Sequence, residues 1–284
     1  MQVHTLAEQL YFTTIRIDTN APGGGHGSGT GFFFDLMVDG QKRAFIVTNK
    51  HVVFGQKGGR VTFIRQKDDG QPSLGDGFNL EISEADWAGI WFGHPDPEVD
   101  IAICDLHPFL SFMHDHHGVI PFVRCIGSEL IPTEEQKRSL DAMESVTFIG
   151  YPNGIWDSKN LLPVMRQGTT ATPITVDFEQ TPRFLIDASV FGGSSGSPVF
   201  LFNQGSYPDK AGGLIAGSRL YFLGVVAAVF FRTHLNEIVA IPIPTHSKPM
   251  AQQQEMIDLG VVFKAHTVVE TIDAFLAQHP RKAN

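Results

Sequence analysis

The sequence predicts an all-β protein, a barrel or a sandwich, on three observations. Its apolar runs are short and rich in β-branched and aromatic residues, as in Phe32-Phe33-Phe34, Ala44-Phe45-Ile46-Val47-Thr48, Phe184-Leu185-Ile186 and Pro198-Val199-Phe200-Leu201-Phe202. Glycine-rich turns separate those runs. Helical spacing is confined to two stretches, after Pro132 and after Thr267, whereas an α/β sheet needs a helix between successive strands.

In chain order, Leu10 to Ile17 alternates as a first strand, and Asp18-Thr19-Asn20-Ala21-Pro22 with the following glycines ends it. The run Gly23 to Gly29 is unlike a phosphate-binding loop, because such a loop opens a helix and Phe32-Phe33-Phe34 is strand-like. Val38-Asp39-Gly40-Gln41 reads as a hairpin turn into the Ala44–Thr48 strand. Val61 to Arg65 and Phe78 to Ile82 follow, joined by the polar loop Gln66 to Gly77. His114, His116 and His117 fall in an expected loop; without cysteine or a helical register they read as solvated side chains, and no metal is expected. Thr133 as N-cap and Gln136 completing a capping box start a helix to about Met143. Strands resume from Val146 to Ile243. A last helix opens at Thr267, with Val268, Val269, Ile272, Phe275 and Leu276 on one face.

Composition limits the function. A net charge of −9 over 284 residues, with no basic run interleaved with aromatics, argues against nucleic acid as partner. No apolar stretch is long enough to cross a bilayer, and Met1-Gln2-Val3-His4-Thr5 does not start an export signal. The two cysteines, Cys104 and Cys125, point to a reducing cytoplasm, with Cys104 as a buried free thiol. No cofactor motif stands out.

The chemistry concentrates at Gly193-Ser194-Ser195-Gly196-Ser197-Pro198. A serine hydroxyl attacks well only when a base takes its proton and N–H donors receive the oxyanion. Glycines on both sides of Ser195 let the backbone aim the N–H groups of Gly193 and Ser195 at one point. A base is available in His51, placed straight after the Ala44–Thr48 strand. Asp100 stands at the mouth of the apolar run Ile101-Ala102-Ile103; its neighbours Asp96 and Asp105 do not directly precede that run. His51, Asp100 and Ser195 follow one another at separations of 49 and 95 residues.

Taken together, Thr48-Asn49-Lys50-His51-Val52-Val53, Asp100-Ile101-Ala102-Ile103 and Asp187-Ala188-Ser189 through Pro198 resemble the three motifs of the chymotrypsin/trypsin-like serine proteases, in the order His, Asp, Ser. The resemblance extends to the bacterial trypsin-like branch that includes the HtrA proteases, without the appended peptide-binding module. Weaker echoes in the same order are Gly27-Ser28-Gly29-Thr30-Gly31-Phe32, Phe148-Ile149-Gly150-Tyr151-Pro152, Leu223-Gly224-Val225-Val226 and Ala240-Ile241-Pro242. The resemblance implies two six-stranded Greek-key β-barrels packed together. Residues 1–130 would carry His51 and Asp100; residues 131–284 would hold the connecting helix, the Ser195 barrel and a C-terminal helix packed on that barrel.

It also implies roles: Ser195 as nucleophile, His51 as general base and then acid, Asp100 as the group fixing the imidazole tautomer, and Gly193 and Ser195 as oxyanion donors. The substrate is then a protein or peptide. In the animal digestive members, an acid just before the nucleophile pairs with a freed N-terminus; here that position is Ser194, so a partner, a substrate or a neighbouring subunit of a homo-oligomer is expected to hold the oxyanion loop. The specificity pocket falls on Ser189 at its base, Ala227-Ala228-Val229 on one wall, and Ile238-Val239-Ala240 on the other. Val229 and Ile238 would narrow it to small apolar side chains such as Ala or Val. Two other readings fit parts of the pattern. One is a serine esterase with Ser194 in a nucleophile elbow, which requires a helix after the serine; the other is a trypsin-like fold serving only to bind.

Overall fold

The computed structural model describes residues 1–237 and 250–280. The first half runs α1 (Leu6–Leu10), β1 (Thr14–Asn20), β2 (His26–Val38), β3 (Gln41–Thr48), α2 (Lys50–Val53), β4 (Gly59–Gln66), β5 (Pro72–Ile82), α3 (Glu84–Ile90), β6 (Phe92–Gly93), β7 (Ala102–Asp105), α4 (His107–His117) and β8 (Ile126–Gly127). These strands form one sheet in the order β5-β4-β1-β2-β3-β7-β6, with β8 alongside β2. Six strands are substantial, and β6 and β8 are two-residue additions.

The second half begins with α5 (Glu134–Ser139) and continues through β9 (Ser145–Gly150), β10 (Val164–Thr170), β11 (Arg183–Asp187), β12 (Pro198–Asn203), β13 (Ser206–Pro208), β14 (Leu214–Ala216), β15 (Arg219–Glu237), β16 (Met250–Lys264) and α6 (His266–Gln278). Here six strands close a barrel in the order β10-β11-β16-β15-β12-β9, and β13 and β14 pair as a separate hairpin. The all-β expectation and the six-stranded second barrel are both present.

Each half has its own apolar core, one around Ile15, Phe33, Ile46 and Trp87 and the other around Phe148, Phe184, Ile186 and Val262. A third cluster joins them. Phe222 of β15 meets Phe32 (5.4 Å), Phe34 (5.9 Å) and Phe200 (6.0 Å), so one buried ring packs on strands of both sheets. Aromatic burial of this size is what locks two sheets in one relative position.

Several local expectations shift. Leu10 ends a capped helix, with Thr5 and Glu8 forming its capping box, and the first strand starts only at Thr14. The polar loop after β4 is shorter than expected, because β5 already begins at Pro72. His114, His116 and His117 lie on α4 and not in a loop: Pro108 sits in its first turn, Met113 is buried beneath it, and Gly118 closes it at φ 62°. The Thr133–Gln136 capping box forms, but α5 stops at Ser139, because the extended residue Leu140 turns its side chain into the second core. Asp39 (φ 50°) and Gly40 (φ 75°) make the expected hairpin turn, with both central residues left-handed. The last helix packs toward the first half as well as the second: Phe275 meets Phe45 (5.9 Å) and Phe92 (5.6 Å), while Val268 and Ile272 enter the joining cluster.

Candidate active site

His51 reaches its place through a four-residue helix that follows β3 without a linker. The first N–H groups of a helix lack internal acceptors. Asp100 supplies one, its Oδ1 accepting from the His51 backbone N–H at 3.1 Å, while its Oδ2 lies 2.5 Å from the ring Nδ1 of the same residue. A carboxylate accepts only, so Nδ1 carries the proton and Nε2 is left with a free lone pair. Asp100 is held in turn by Asn49, fully buried, whose Nδ2 donates to the Asp100 carbonyl at 2.6 Å. Lys50 closes the same loop from the outside, Nζ to the Asp96 carbonyl at 2.7 Å; desolvation by burial lowers its amine pKa, against the pull of Asp100 and Asp96. Sequence reading did not single out Asn49, although a polar residue directly after a buried strand was the available signal.

Ser195 sits on the segment between β11 and β12, just before β12 enters the second barrel. A turn precedes it, closed by Ser194 N–H donating to the Phe191 carbonyl at 3.0 Å, with Gly193 at φ 81°. Ser197 N–H then donates to the Ser194 carbonyl (3.0 Å) and Gly196 N–H to the Val226 carbonyl (2.8 Å). Among the described residues, the N–H groups of Gly193 and Ser195 have no backbone acceptor. Gly196 is required at φ 87°, and a Cβ there would overlap the Thr30 carbonyl oxygen. The Ser195 hydroxyl is turned to the Ala227 carbonyl at 3.4 Å, a long contact for an O–H donor, and no hydrogen bond joins it to His51 among the described residues. Nucleophile–base bonds commonly tighten only once substrate is bound. The structure joins His51 to Asp100 directly, and ties Ser195 to the first half through its carbonyl, which accepts from the Thr30 N–H at 2.9 Å.

The expected pocket residues are partly gathered. Ser189 is half-buried at the end of β11, Ala227 is buried, Ala228 is exposed and Val229 is half-buried along β15. The strand running opposite that wall is β16, with Gly260 across from Val229 and Val261 across from Ala228. Ile238, Val239 and Ala240 lie outside the described residues, as does the Ala240-Ile241-Pro242 segment. β15 and β16 pair along a long antiparallel ladder, from Gly224 with Lys264 to Glu237 with Met250.

Comparison with known families gives a match to the trypsin-like peptidase domain over residues 29–207. The chain belongs to the trypsin-like peptidase family. That span includes His51, Asp100 and Ser195, and the family makes this chain a peptidase, a hydrolase with protein substrates. Comparison with curated proteins finds no match. Among solved structures, the chain is similar to the active form of the Rv3671c protease from M. tuberculosis, at 19% identity and a TM-score of 0.46, over 96% of this chain and 83% of that one. It is also similar to the scabies mite inactivated protease paralogue S-I1, at 15% identity and a TM-score of 0.48, over 95% and 98%. A third is the thermostable serine protease AL20 from an extremophilic microorganism, at 14% identity and a TM-score of 0.45, over 93% and 97%. The family assignment rests on the domain match and not on these distant likenesses.

Proposed function

We propose that this trypsin-like peptidase is a serine endopeptidase working through an acyl-enzyme on Ser195. The observation that carries the reading is the double engagement of His51 by Asp100, which leaves Nε2 as a proton acceptor. In the forward step Nε2 takes the Ser195 proton as Oγ adds to the scissile carbonyl, and the oxyanion falls to the N–H groups of Gly193 and Ser195. The tetrahedral adduct collapses, the C–N bond breaks, and the imidazolium returns its proton to the leaving amine. Water then repeats the sequence on the ester, releasing the acid and restoring Ser195.

On this reading residues 1–130 are the unit carrying the base and its acid, and residues 131–284 the unit carrying the nucleophile. A small apolar acyl-side residue fits the wall formed by Ala227, Ala228 and Val229, with Ser189 at the base. A nucleophile elbow at Ser194 fits poorly, since the chain continues into β12 and not into a helix. The two unpaired thiols fit a reducing compartment, and we assign the enzyme to the cytoplasm on that ground. Among the described residues, no helix is long and apolar enough to cross a membrane.

The test is labelling with a fluorophosphonate, which phosphonylates an activated serine. Wild type and Ser194→Ala should label and Ser195→Ala should not. Labelling that survives Ser195→Ala refutes the assignment, and an unlabelled wild type favours a binding module.

A further inference from the structure

Oxyanion donors work only if the turn bearing them holds one conformation. The turn Phe191–Ser194 has Gly193 at its third position with φ 81°, the value of a type II turn. The alternative type I turn has a negative φ there and reverses the Gly192–Gly193 peptide, which swings the Gly193 N–H away from the site. The carbonyl of Gly192 makes no backbone hydrogen bond among the described residues, so that peptide is not held directly. What is held is the next peptide. Its N–H donates to Phe191, and its oxygen, the Gly193 carbonyl, accepts from the hydroxyl of Thr30 at 2.9 Å.

Thr30 lies on β2 in the first half, and each of its polar atoms is engaged. Its N–H donates to the Ser195 carbonyl (2.9 Å). Its hydroxyl, besides donating to Gly193, accepts from the Tyr151 N–H (3.1 Å). Its carbonyl accepts from the Thr48 hydroxyl (2.7 Å), one residue before Asn49 and three before His51. The side chain is fully buried, and a Cβ on Gly150 would stand 2.5 Å from its Oγ1. Ser194, where a charged anchor is absent, is buried with its own hydroxyl unpaired among the described residues.

We propose that Thr30 is a positioning residue that ties the turn bearing Ser195, at the Gly193 and Ser195 carbonyls, to the strand that carries His51. It does not touch substrate. This proposal rests on Ser195 being the nucleophile. No buried ion pair is required, because the hydroxyl fixes the Gly193 carbonyl from the opposite half of the molecule.

The experiment compares wild type with Thr30→Val, which keeps the branched shape and removes the hydroxyl, and with Thr30→Ser, which keeps the hydroxyl. Active sites are titrated with the fluorophosphonate, and kcat and KM are then measured on one peptide substrate per titrated site. Thr30→Val should lose about tenfold or more in kcat and in labelling rate, the scale of one lost hydrogen bond to a turn that presents an oxyanion donor, while KM stays near wild type. Thr30→Ser should recover most of the rate. A purely structural role would instead lower the melting temperature and the titrated fraction with kcat per site unchanged, and that result overturns the proposal. If Thr30→Val does not fold, Thr30→Ala removes the same hydroxyl with less demand on space and is read in the same way. Equal labelling of wild type and Thr30→Val at Ser195 removes the positioning role alone, whereas an unlabelled wild type removes the serine mechanism and the positioning role with it.

Discussion

Asp100 grips His51 twice, its Oδ2 on the ring Nδ1 at 2.5 Å and its Oδ1 on the backbone N–H at 3.1 Å. One carboxylate thus sets both the position of the short helix and the tautomer of the ring it carries. The exchange Asp100→Asn tests the second effect. An amide presents an NH2 where the carboxylate presents an acceptor, so the ring is driven to protonate Nε2 and loses its capacity to take the Ser195 proton. We expect kcat to fall by about 10⁴-fold with a melting temperature close to wild type. A loss below about tenfold would show that Asp100 does not set the tautomer.

Stability depends on a second paired site, remote from the first. Arg219 and Glu144 are each 7% exposed and meet at 2.6 Å; Asn203 accepts from the Arg219 Nε at 2.7 Å, and the guanidinium lies 4.3 Å from the centre of the Tyr207 ring. Removing one partner strands the other charge away from water. Glu144→Ala should therefore cost about 3–5 kcal/mol in denaturant unfolding. The joint change Glu144→Leu with Arg219→Met should recover most of that loss, because no unpaired charge remains. A single change costing under about 1 kcal/mol, the value of an exposed pair, would contradict the argument.

The fold was legible wherever local chemistry was unopposed. The Asp39-Gly40 turn and the Thr133–Gln136 capping box formed because nothing tertiary competes with them. Where tertiary burial competes, the reading slipped: Leu140 left its helix for the second core, and the 107–117 segment became a helix because Met113 could be buried under it. At the site, His51 and Asp100 were legible because each is pinned to the end of a buried strand. Thr30 was visible only as part of a glycine-rich echo, since its role depends on contacts more than 120 residues away in sequence. The pairing of Val229 with Gly260 was hidden for the same reason, as strand pairing and not spacing determines it.

His266, at the start of α6, gives the protein an acid-sensitive point. Desolvation lowers its pKa, with Lys137 and Lys264 acting in the same direction and Glu270 and Asp177 opposing them. In the unfolded chain an imidazole titrates near about 6.5. Between that value and the lowered folded one, the unfolded state binds more protons, so stability falls as pH drops below about 6.5. The group is half-buried, so the effect is modest. His266→Gln should shrink the difference in melting temperature between pH 7.5 and pH 5.5 (roughly one unit either side of the free imidazole). An unchanged or larger difference would show that other groups carry the acid response.

The proposed acyl-side preference rests on the strand beside Ser195. The Ala227 carbonyl touches the Ser195 hydroxyl, and Val229 lies two residues further along β15, about 7 Å at strand spacing. Across from it stands Gly260, where any Cβ would press on the buried side chain of Val190, so that side of the strand pair is already filled. Val229 shares that face and packs against the same cluster, so on the proposed pocket its branched side chain closes the slot to a large substrate residue, and Ser189, half-buried, offers no charge to an Arg or Lys. A peptide library should return Ala and Val at the acyl side of the cut. The preference should be graded, since one methylene in an apolar slot separates substrates by only about 1–3 kcal/mol. Val229→Gly should widen the slot and raise kcat/KM for Leu or Phe relative to Ala, with little change for Ala itself. A wild-type profile led by Arg, Lys, Phe or Tyr, or a Val229→Gly profile identical to wild type, would remove Val229 from the specificity wall.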